Sequence, residues 1–431
     1  MKSKIGKPRR LVVLGFAGTI LLGTVLLALP VSSAGGTGMP LIDSYFTATS
    51  AVCVTGLSCV DVGKELSVFG QIVLAALIQI GGLSITSIGV MAILGARGKL
   101  RMGKQLVFRE ALNLSSGKEL ANVIRTVFYM TVIIELAGAV LSYPVFVHEF
   151  GAEKAVGISV FHSIASFNNA GFDLMGNYKS LMDYRGNSWL YFVTEVLIIL
   201  GGLGFFVIKE LLSGKKVRHW SLHTKVVLVT TVALLAGGAV LLKLADHQQL
   251  SWGDAFFHSV SARTAGFAGV DIGSLTMAAN MVLMVLMFIG ASPGSTGGGI
   301  KTTTFFVLLK KMSSVTFHKH CGAFKRTIPD NTVAKAFLIC NMGAFVILVT
   351  TFCICLLEPE FSFLEILFEI VSAFSTTGLS MGVTPQLCDT SKILIGIVMF
   401  IGRLGPLTMA TVWFSREVPA AAYSQEDITI G

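Results

Sequence analysis

Four short segments end in a glycine followed by Leu or Phe: Val54-Thr55-Gly56, Asn169-Ala170-Gly171, Thr264-Ala265-Gly266 and Thr376-Thr377-Gly378. Aligned on the glycine, all four have Phe ten residues earlier and Ala or Ser five residues earlier. The side chains beside the glycines differ between segments, and none makes an acid–base, nucleophile or metal-ligand set. What the segments share is main chain. A dehydrated monovalent cation needs several oxygen ligands, and converging backbone carbonyls supply them without fixed charge. Glycine admits the left-handed backbone that turns successive carbonyls inward.

A second constellation is Gly290-Ala291-Ser292-Pro293-Gly294-Ser295-Thr296-Gly297-Gly298-Gly299-Ile300-Lys301, set between the apolar stretches Met281–Ile289 and Phe305–Leu309. Pro and five glycines cannot sustain a helix there, so a loop is expected inside a span. A phosphate-binding loop fits poorly: Ile300 separates the glycines from Lys301-Thr302, and no strand precedes them. Small polar residues in a mobile intramembrane loop could line an ion path or obstruct it. An inert break in the helix is the plainer alternative.

Arg403 lies in the last apolar stretch, where a charge is costly and faces a cavity or a partner. Facing a pore, it sets a positive barrier to cations; paired with a carboxylate, it is structural. Arg263, three residues before Gly266, is expected to point behind its turn toward a carboxylate or backbone carbonyls. Glu135 and Glu195 read as members of interhelical pairs. His162 and His258 have no matched partners that would suggest an enzyme, and the seven cysteines show no ligand spacing. Cys53 and Cys59 flank Gly56, and free thiols are favoured over a bridge.

These residues need elements to position them. The chain has 431 residues, 53% hydrophobic and only 13% charged, too little polar surface for a soluble globular protein. Apolar runs near 11–31, 68–95, 124–147, 189–208, 224–245, 278–291, 334–357 and 392–414 are mostly long enough to cross ~30 Å of hydrocarbon. The first run is too long for a signal-peptide core and reads as a span. The net charge of +9 follows topology rather than nucleic-acid binding. Basic clusters precede the first run and follow the second, fourth and sixth, which places both termini in the cytoplasm.

The segments that lead into the glycines are too short to span and read as re-entrant half-helices. Pro40 and Asp43, Ser251 and Asp254, and Pro359 and Ser362 supply start signals for three of them. Basic helix-like stretches are expected at Gly103–Ser116 and Lys310–Asn331. The expected fold is an all-α integral membrane protein. Eight transmembrane helices form four M1–pore loop–M2 repeats (1–100, 101–215, 216–325 and 326–431) around a pseudo-four-fold pore.

With the four pore loops, the Gly-Ser-Thr-Gly-Gly-Gly-Ile-Lys-Thr loop and Arg403, the chain resembles the Ktr/Trk/HKT superfamily of potassium and sodium transporters over essentially its whole length. It looks most like the membrane subunits of bacterial Ktr systems. The resemblance implies a potassium filter at Gly56, Gly171, Gly266 and Gly378, a gating loop at Gly290–Lys301 and a pore arginine at Arg403. Glycine rather than serine at the first loop favours K⁺ over Na⁺ as the substrate. The resemblance also implies a homodimer in the bacterial plasma membrane, resting on a cytoplasmic nucleotide-binding ring of the KtrA kind, with Na⁺ as an activator of uptake. A Na⁺-permeable or Na⁺/K⁺ co-transporting member is the runner-up. A secondary transporter of another solute would instead need inverted repeats and a midplane polar cluster.

Overall fold

The computed structural model describes residues 6–83 and 120–412, and within these the chain is almost wholly helical. The basic stretch Gly103–Ser116 and the tail beyond residue 412 lie outside the described residues.

The first unit contains α1 (Gly6–Ala28), α2 (Leu41–Cys53) and α3 (Val68–Gly82). In the second, α4 (Leu120–Phe167) comprises two helices joined at a kink at Gly151, whose φ of 73° and ψ of 164° are not helical. It is followed by α5 (Ser188–Leu203) and α6 (Phe205–Leu211). The third comprises α7 (Leu222–Ala245), α8 (Trp252–Ser261), α9 (Met277–Phe288) and α10 (Thr302–Thr316). An antiparallel pair, β1 (Gly322–Ala323) with β2 (Arg326–Thr327), links it to the last unit. That unit holds α11 (Asp330–Leu357), α12 (Phe363–Ser375), α13 (Asp389–Leu404) and α14 (Pro406–Val412).

Among the described residues, four helices are long and apolar enough to cross a membrane: α1, α4, α7 and α11. Two bent pairs pass the same test when each is counted as one span, α5 with α6 (102°) and α13 with α14 (95°), while α3 and α9 are shorter apolar helices. The sequence reading singled out one interrupted span. Among the described residues the structure breaks three, because the chain also bends by 102° at Gly204 (φ 91°) and by 95° at Gly405 (φ 86°).

The short helices form where the start signals stand. Asp43 sits in the first turn of α2, behind Pro40. Ser251 with Asp254, and Ser362 with Glu365, close reciprocal capping boxes on α8 and α12. Beyond their first turns these helices are largely buried, although Phe256 stays partly exposed. Phe46, Phe257 and Phe368 are fully buried in the central cluster.

The third unit departs from the gap-free repeat. Phe256, ten residues before Gly266, is 37% exposed, and its neighbour Phe257 takes the buried place. The cause is the helix end. In the other units the residue before the glycine donates to the carbonyl five residues back: Thr55 to Ser50, Ala170 to Ala165 and Thr377 to Ser372. In the third, Gly266 itself donates to Ser261. The helix–turn register is shifted by one, and the face of α8 rotates with it.

Candidate functional site

The four glycine turns meet in a ring. A β-carbon built on Gly56 would lie 2.5 Å from the Ala170 carbonyl oxygen, and one on Gly171 would lie 2.6 Å from that of Ala265. On Gly266 it would lie 2.2 Å from the Thr377 oxygen, and on Gly378 2.2 Å from that of Thr55, which closes the circle. The turns therefore follow one another in chain order, each seated against the next. No side chain fits at any of the four glycines.

Backbone conformation repeats with the same regularity. Val54, Asn169, Thr264 and Thr376 have φ of 58°, 59°, 76° and 50°, and the glycines two residues later have φ of 93°, 66°, 82° and 98°. Left-handed φ at β-branched Val and Thr is unfavourable by roughly 1–3 kcal/mol and persists only where the surroundings enforce it. Alternation in the sign of φ turns successive peptide dipoles to one side. The chemistry available is that of a ring of main-chain oxygens, which suits a dehydrated cation.

Two further groups hold these turns. Ser50 and Ser372, six residues before their glycines, each accept from the glycine amide at 3.0 Å. Gly81, Gly201 and Gly402 let α3, α5 and α13 touch the ends of the short helices. A β-carbon there would lie 2.2, 1.9 and 1.8 Å from the carbonyl oxygens of Val52, Phe167 and Phe374. Both sets escaped the sequence reading. Their signal was a serine at the same position in two units, and a glycine cluster near the end of each second apolar run.

On the inner side the glycine-rich segment is a loop between α9 and α10, folded up against the ring. Gly297 and Gly298 pack so closely on Thr264 and Thr376 that a β-carbon would lie 2.0 and 2.1 Å from their hydroxyl oxygens. Gly290, Ala291, Ser292 and Thr296 are also buried, and Pro293, Ser295 and Gly299 partly so. Ser292 N and Thr296 N donate to Gly202 O (3.0 Å) and Gly201 O (3.3 Å), and Phe205 N donates to Gly294 O (3.0 Å). The Thr296 hydroxyl reaches Phe167 O (3.2 Å) and Asn169 Oδ1 (3.3 Å).

Two cations hold the loop. Lys301 Nζ donates back to Gly297 O (2.7 Å) and Gly298 O (3.2 Å). Arg403 donates to Thr296 O on the loop and to Gly81 O and Gly82 O at the end of α3. Its partners are carbonyls and not the carboxylate that a structural pairing required. Arg263 points behind the ring as expected, into a small cavity with Thr231, Leu235 and Ile198. Its expected partner is not there: Arg263 Nε has no hydrogen bond among the described residues.

The remaining polar residues belong to the scaffold. Glu135 meets Asn168 and Gln79, whereas Glu195 makes no hydrogen bond among the described residues. His258 donates from Nδ1 to Asp254 O (2.7 Å) and accepts from Gly269 N at Nε2 (3.2 Å). His162 Nε2 pairs with the Thr194 hydroxyl at 2.9 Å. Glu369 fastens the loop that follows the fourth turn, accepting from Met381 N (3.2 Å) and Thr384 Oγ1 (2.9 Å). Cys53 and Cys59 are buried free thiols. Among the described residues, no three His, Cys, Asp or Glu side chains gather to hold a metal ion.

Outside the ring a cavity of about 40 Å³ is lined by Gly56, Gly171, Ser58, Tyr178 and two carboxylates, Asp61 and Asp173. Asp173 accepts from Met175 N at 2.9 Å. Burial, assisted by the nearby charge of Asp61, pushes its carboxyl up to about 6. This acidic mouth was also missed: Asp173 stands in no repeated position, and the place of Asp61, five residues after its glycine, is shared only by Asp271.

Known proteins carry the same framework. The family model described as TrkH, cation transport protein, matches residues 19–426. The potassium/sodium uptake protein NtpJ of Enterococcus hirae is 38% identical, covering 100% of this chain and 99% of its own. The Ktr system potassium uptake protein B of Vibrio alginolyticus is 38% identical over 100% of this chain and 96% of its own. In three dimensions, the potassium transporter TrkH of Vibrio parahaemolyticus matches with a TM-score of 0.71 at 18% identity, over 93% of this chain and 84% of its own. The chain belongs to the TrkH family of cation transport proteins.

Proposed function

We propose that this protein is a channel-like potassium uptake transporter of a bacterial plasma membrane, with both termini cytoplasmic. Four M1–pore loop–M2 units of eight spans would surround one pore, with boundaries near residues 100, 215 and 325. The observation that carries the reading is the closed ring in which each of four glycines abuts the carbonyl of the next turn. The carbonyls of Val54-Thr55-Gly56, Asn169-Ala170-Gly171, Thr264-Ala265-Gly266 and Thr376-Thr377-Gly378 then replace the hydration shell of K⁺. The carboxyl ends of the short helices add partial negative charge behind them. Relatives named for potassium uptake support K⁺ as the substrate.

In this reading the Gly290–Lys301 loop is the gate, held shut in the arrangement described. Gly297 and Gly298 close the inner side of the filter. Lys301 and Arg403 tie the loop while placing positive charge where a cation must pass. Opening requires those carbonyl contacts to exchange for others. A Na⁺-permeable or Na⁺/K⁺ co-transporting pore is the second reading, favoured by the relative named for potassium and sodium uptake. We further propose a homodimer that engages a separate nucleotide-binding regulatory ring of the KtrA kind, with Na⁺ as an activator. The names of Ktr-system relatives support this.

The test is ion flux into proteoliposomes holding the purified protein. K⁺ uptake driven by its gradient, with Na⁺ a poor competitor, is the expected result. Equal permeation of both ions selects the second reading, and flux of neither overturns the proposal.

A further inference from the structure

The second quarter of the ring is anchored differently from the other three. The position three residues before each glycine is buried in every unit and is Cys53, Asn168, Arg263 or Ser375. Buried Ser375 Oγ and Arg263 Nε have no hydrogen-bond partner among the described residues, and Cys53 is a buried thiol. Asn168, fully buried, is clamped instead. Its Nδ2, which carries two hydrogens, lies 2.9 Å from each of three acceptors, Gln79 Oε1, Glu135 Oε1 and Ile164 O, while its Oδ1 has no hydrogen-bond partner among the described residues. Gln79 Nε2 also donates to Glu135 Oε2 at 3.3 Å, which closes a triangle of side chains from α3, α4 and the turn itself.

Space behind the turn is as restricted as the polar contacts. A β-carbon on Gly82 would lie 1.9 Å from Asn168 Oδ1, so the amide cannot retreat toward α3. The adjacent residue, Asn169, is the left-handed member of the turn and touches Thr296 of the loop. Asn168 is therefore held by its Nδ2 end, on the far side by a carboxylate. An ionisable residue inside an apolar helix is costly unless it is partnered, and here both Glu135 oxygens have a donor.

We infer that Glu135 is a positioning residue for the second filter quarter: with Gln79 it fixes Asn168 and, through it, the direction of the Asn169-Ala170-Gly171 carbonyls. This rests on the filter reading proposed above. The relevant property of Glu135 is hydrogen-bond acceptance at Oε1, where Asn168 Nδ2 donates. Gln at 135 keeps that acceptor, whereas Leu removes it at similar volume.

The experiment compares K⁺ and Na⁺ uptake by proteoliposomes of full-length wild type, Glu135→Leu, Glu135→Gln, Gln79→Leu and Gly171→Ser, normalised to folded protein. Glu135→Leu is expected to raise KM for K⁺ and lower discrimination against Na⁺ by about ten-fold, the scale of one lost buried hydrogen bond, with little change in maximal rate. Glu135→Gln should return both values close to wild type, and Gln79→Leu should fall between. If Gly171→Ser loses selectivity while Glu135→Leu and Gln79→Leu keep wild-type KM and selectivity, the inference is overturned and the filter stands. If Gly171→Ser also keeps selectivity, the filter reading fails and takes the inference with it. Should Glu135→Leu not fold, Gln79→Leu decides alone. A defect in Glu135→Gln equal to that of Glu135→Leu overturns the hydrogen-bond account.

Discussion

Lys392 Nζ lies 2.7 Å from Asp43 Oδ1, joining two residues 349 positions apart in the chain. The pair ties the start of α13, in the last unit, to the first turn of α2, in the first. A second pair repeats the arrangement: Arg185, just before α5, holds Asp254 in the first turn of α8 at 2.9 Å. In both, a base at or just before the start of the second apolar helix of one unit grips the short helix of the next. Two of the four junctions of the ring are thus joined by charge as well as by packing.

Lys392 and Asp43 are largely buried, with side-chain exposures of 11% and 19%. Removing one partner leaves the other charge poorly solvated, so the pair carries more weight than an exposed ion pair. Lys392→Met is expected to cost about 2 kcal/mol and to lower the unfolding temperature in detergent. The exchanged double variant Lys392→Asp with Asp43→Lys should recover part of the loss. Thermal unfolding of wild type, Lys392→Asp, Asp43→Lys and the exchanged double variant measures this, and strictly additive losses would show that the two residues do not interact.

The glycine ring predicts a selectivity defect. Serine at Gly56 or Gly378 must place its β-carbon within 2.5 Å or 2.2 Å of a neighbouring carbonyl oxygen, so that carbonyl is displaced. K⁺ uptake should lose discrimination against Na⁺, measured as competition in proteoliposomes. Gly382 is a matched control, since its φ is 88° but nothing stands near its missing β-carbon. Serine there strains the backbone without touching the ring and should leave discrimination intact. Equal effects at all three positions would assign the defect to strain rather than to the ring.

The comparison of Gly56 with Gly382 also shows what the sequence could reveal. The four ring glycines were legible because each unit repeats its Phe, its small residue and its glycine at fixed spacing. The broken span of the third unit was legible because Pro and clustered Gly exclude a helix. The bend at Gly204 was not, since that glycine stands in an apolar run that reads as continuous, whereas the bend at Gly405 had a signal in the Gly405-Pro406 pair that the surrounding apolar run masked. The displaced Phe256 had no local signal either, because the one-residue shift arises in hydrogen bonds made after the helix ends. Arg403 was recognisable as costly, but its three carbonyl partners come from two distant segments that only the packed chain brings together.

Lys301 and Arg403 are separable by charge and by geometry. Lys301→Met removes the donor to Gly297 O and Gly298 O and should raise basal flux, because the loop loses an internal brace. Deleting part of Gly294–Gly299 should act in the same direction. For Arg403, Gln removes the charge, whereas Lys keeps it but cannot span Thr296 O and the α3 carbonyls as a planar fork. If charge is the barrier, only Arg403→Gln speeds transport; if the tether matters, both do. Unchanged rates in both would leave Arg403 a structural role, and a fall in flux on loop deletion with normal folding would sink the gate.

Asp173 makes the outer mouth sensitive to pH. Burial raises its carboxyl to about 6, so the side chain is mostly neutral at pH 5 and mostly ionised at pH 7. Ionisation adds a second negative charge beside Asp61 at the entrance and attracts cations from dilute solution. As external pH rises through 6, KM for K⁺ should fall a few-fold while the maximal rate is unaffected, because the charge acts on entry and not on passage. Asp173→Asn should give a flat profile with the high KM found in acid. The measurement is initial K⁺ uptake at sub-saturating K⁺, with external pH varied at constant ionic strength and internal pH held. A pH dependence that persists unchanged in Asp173→Asn assigns the effect to another group.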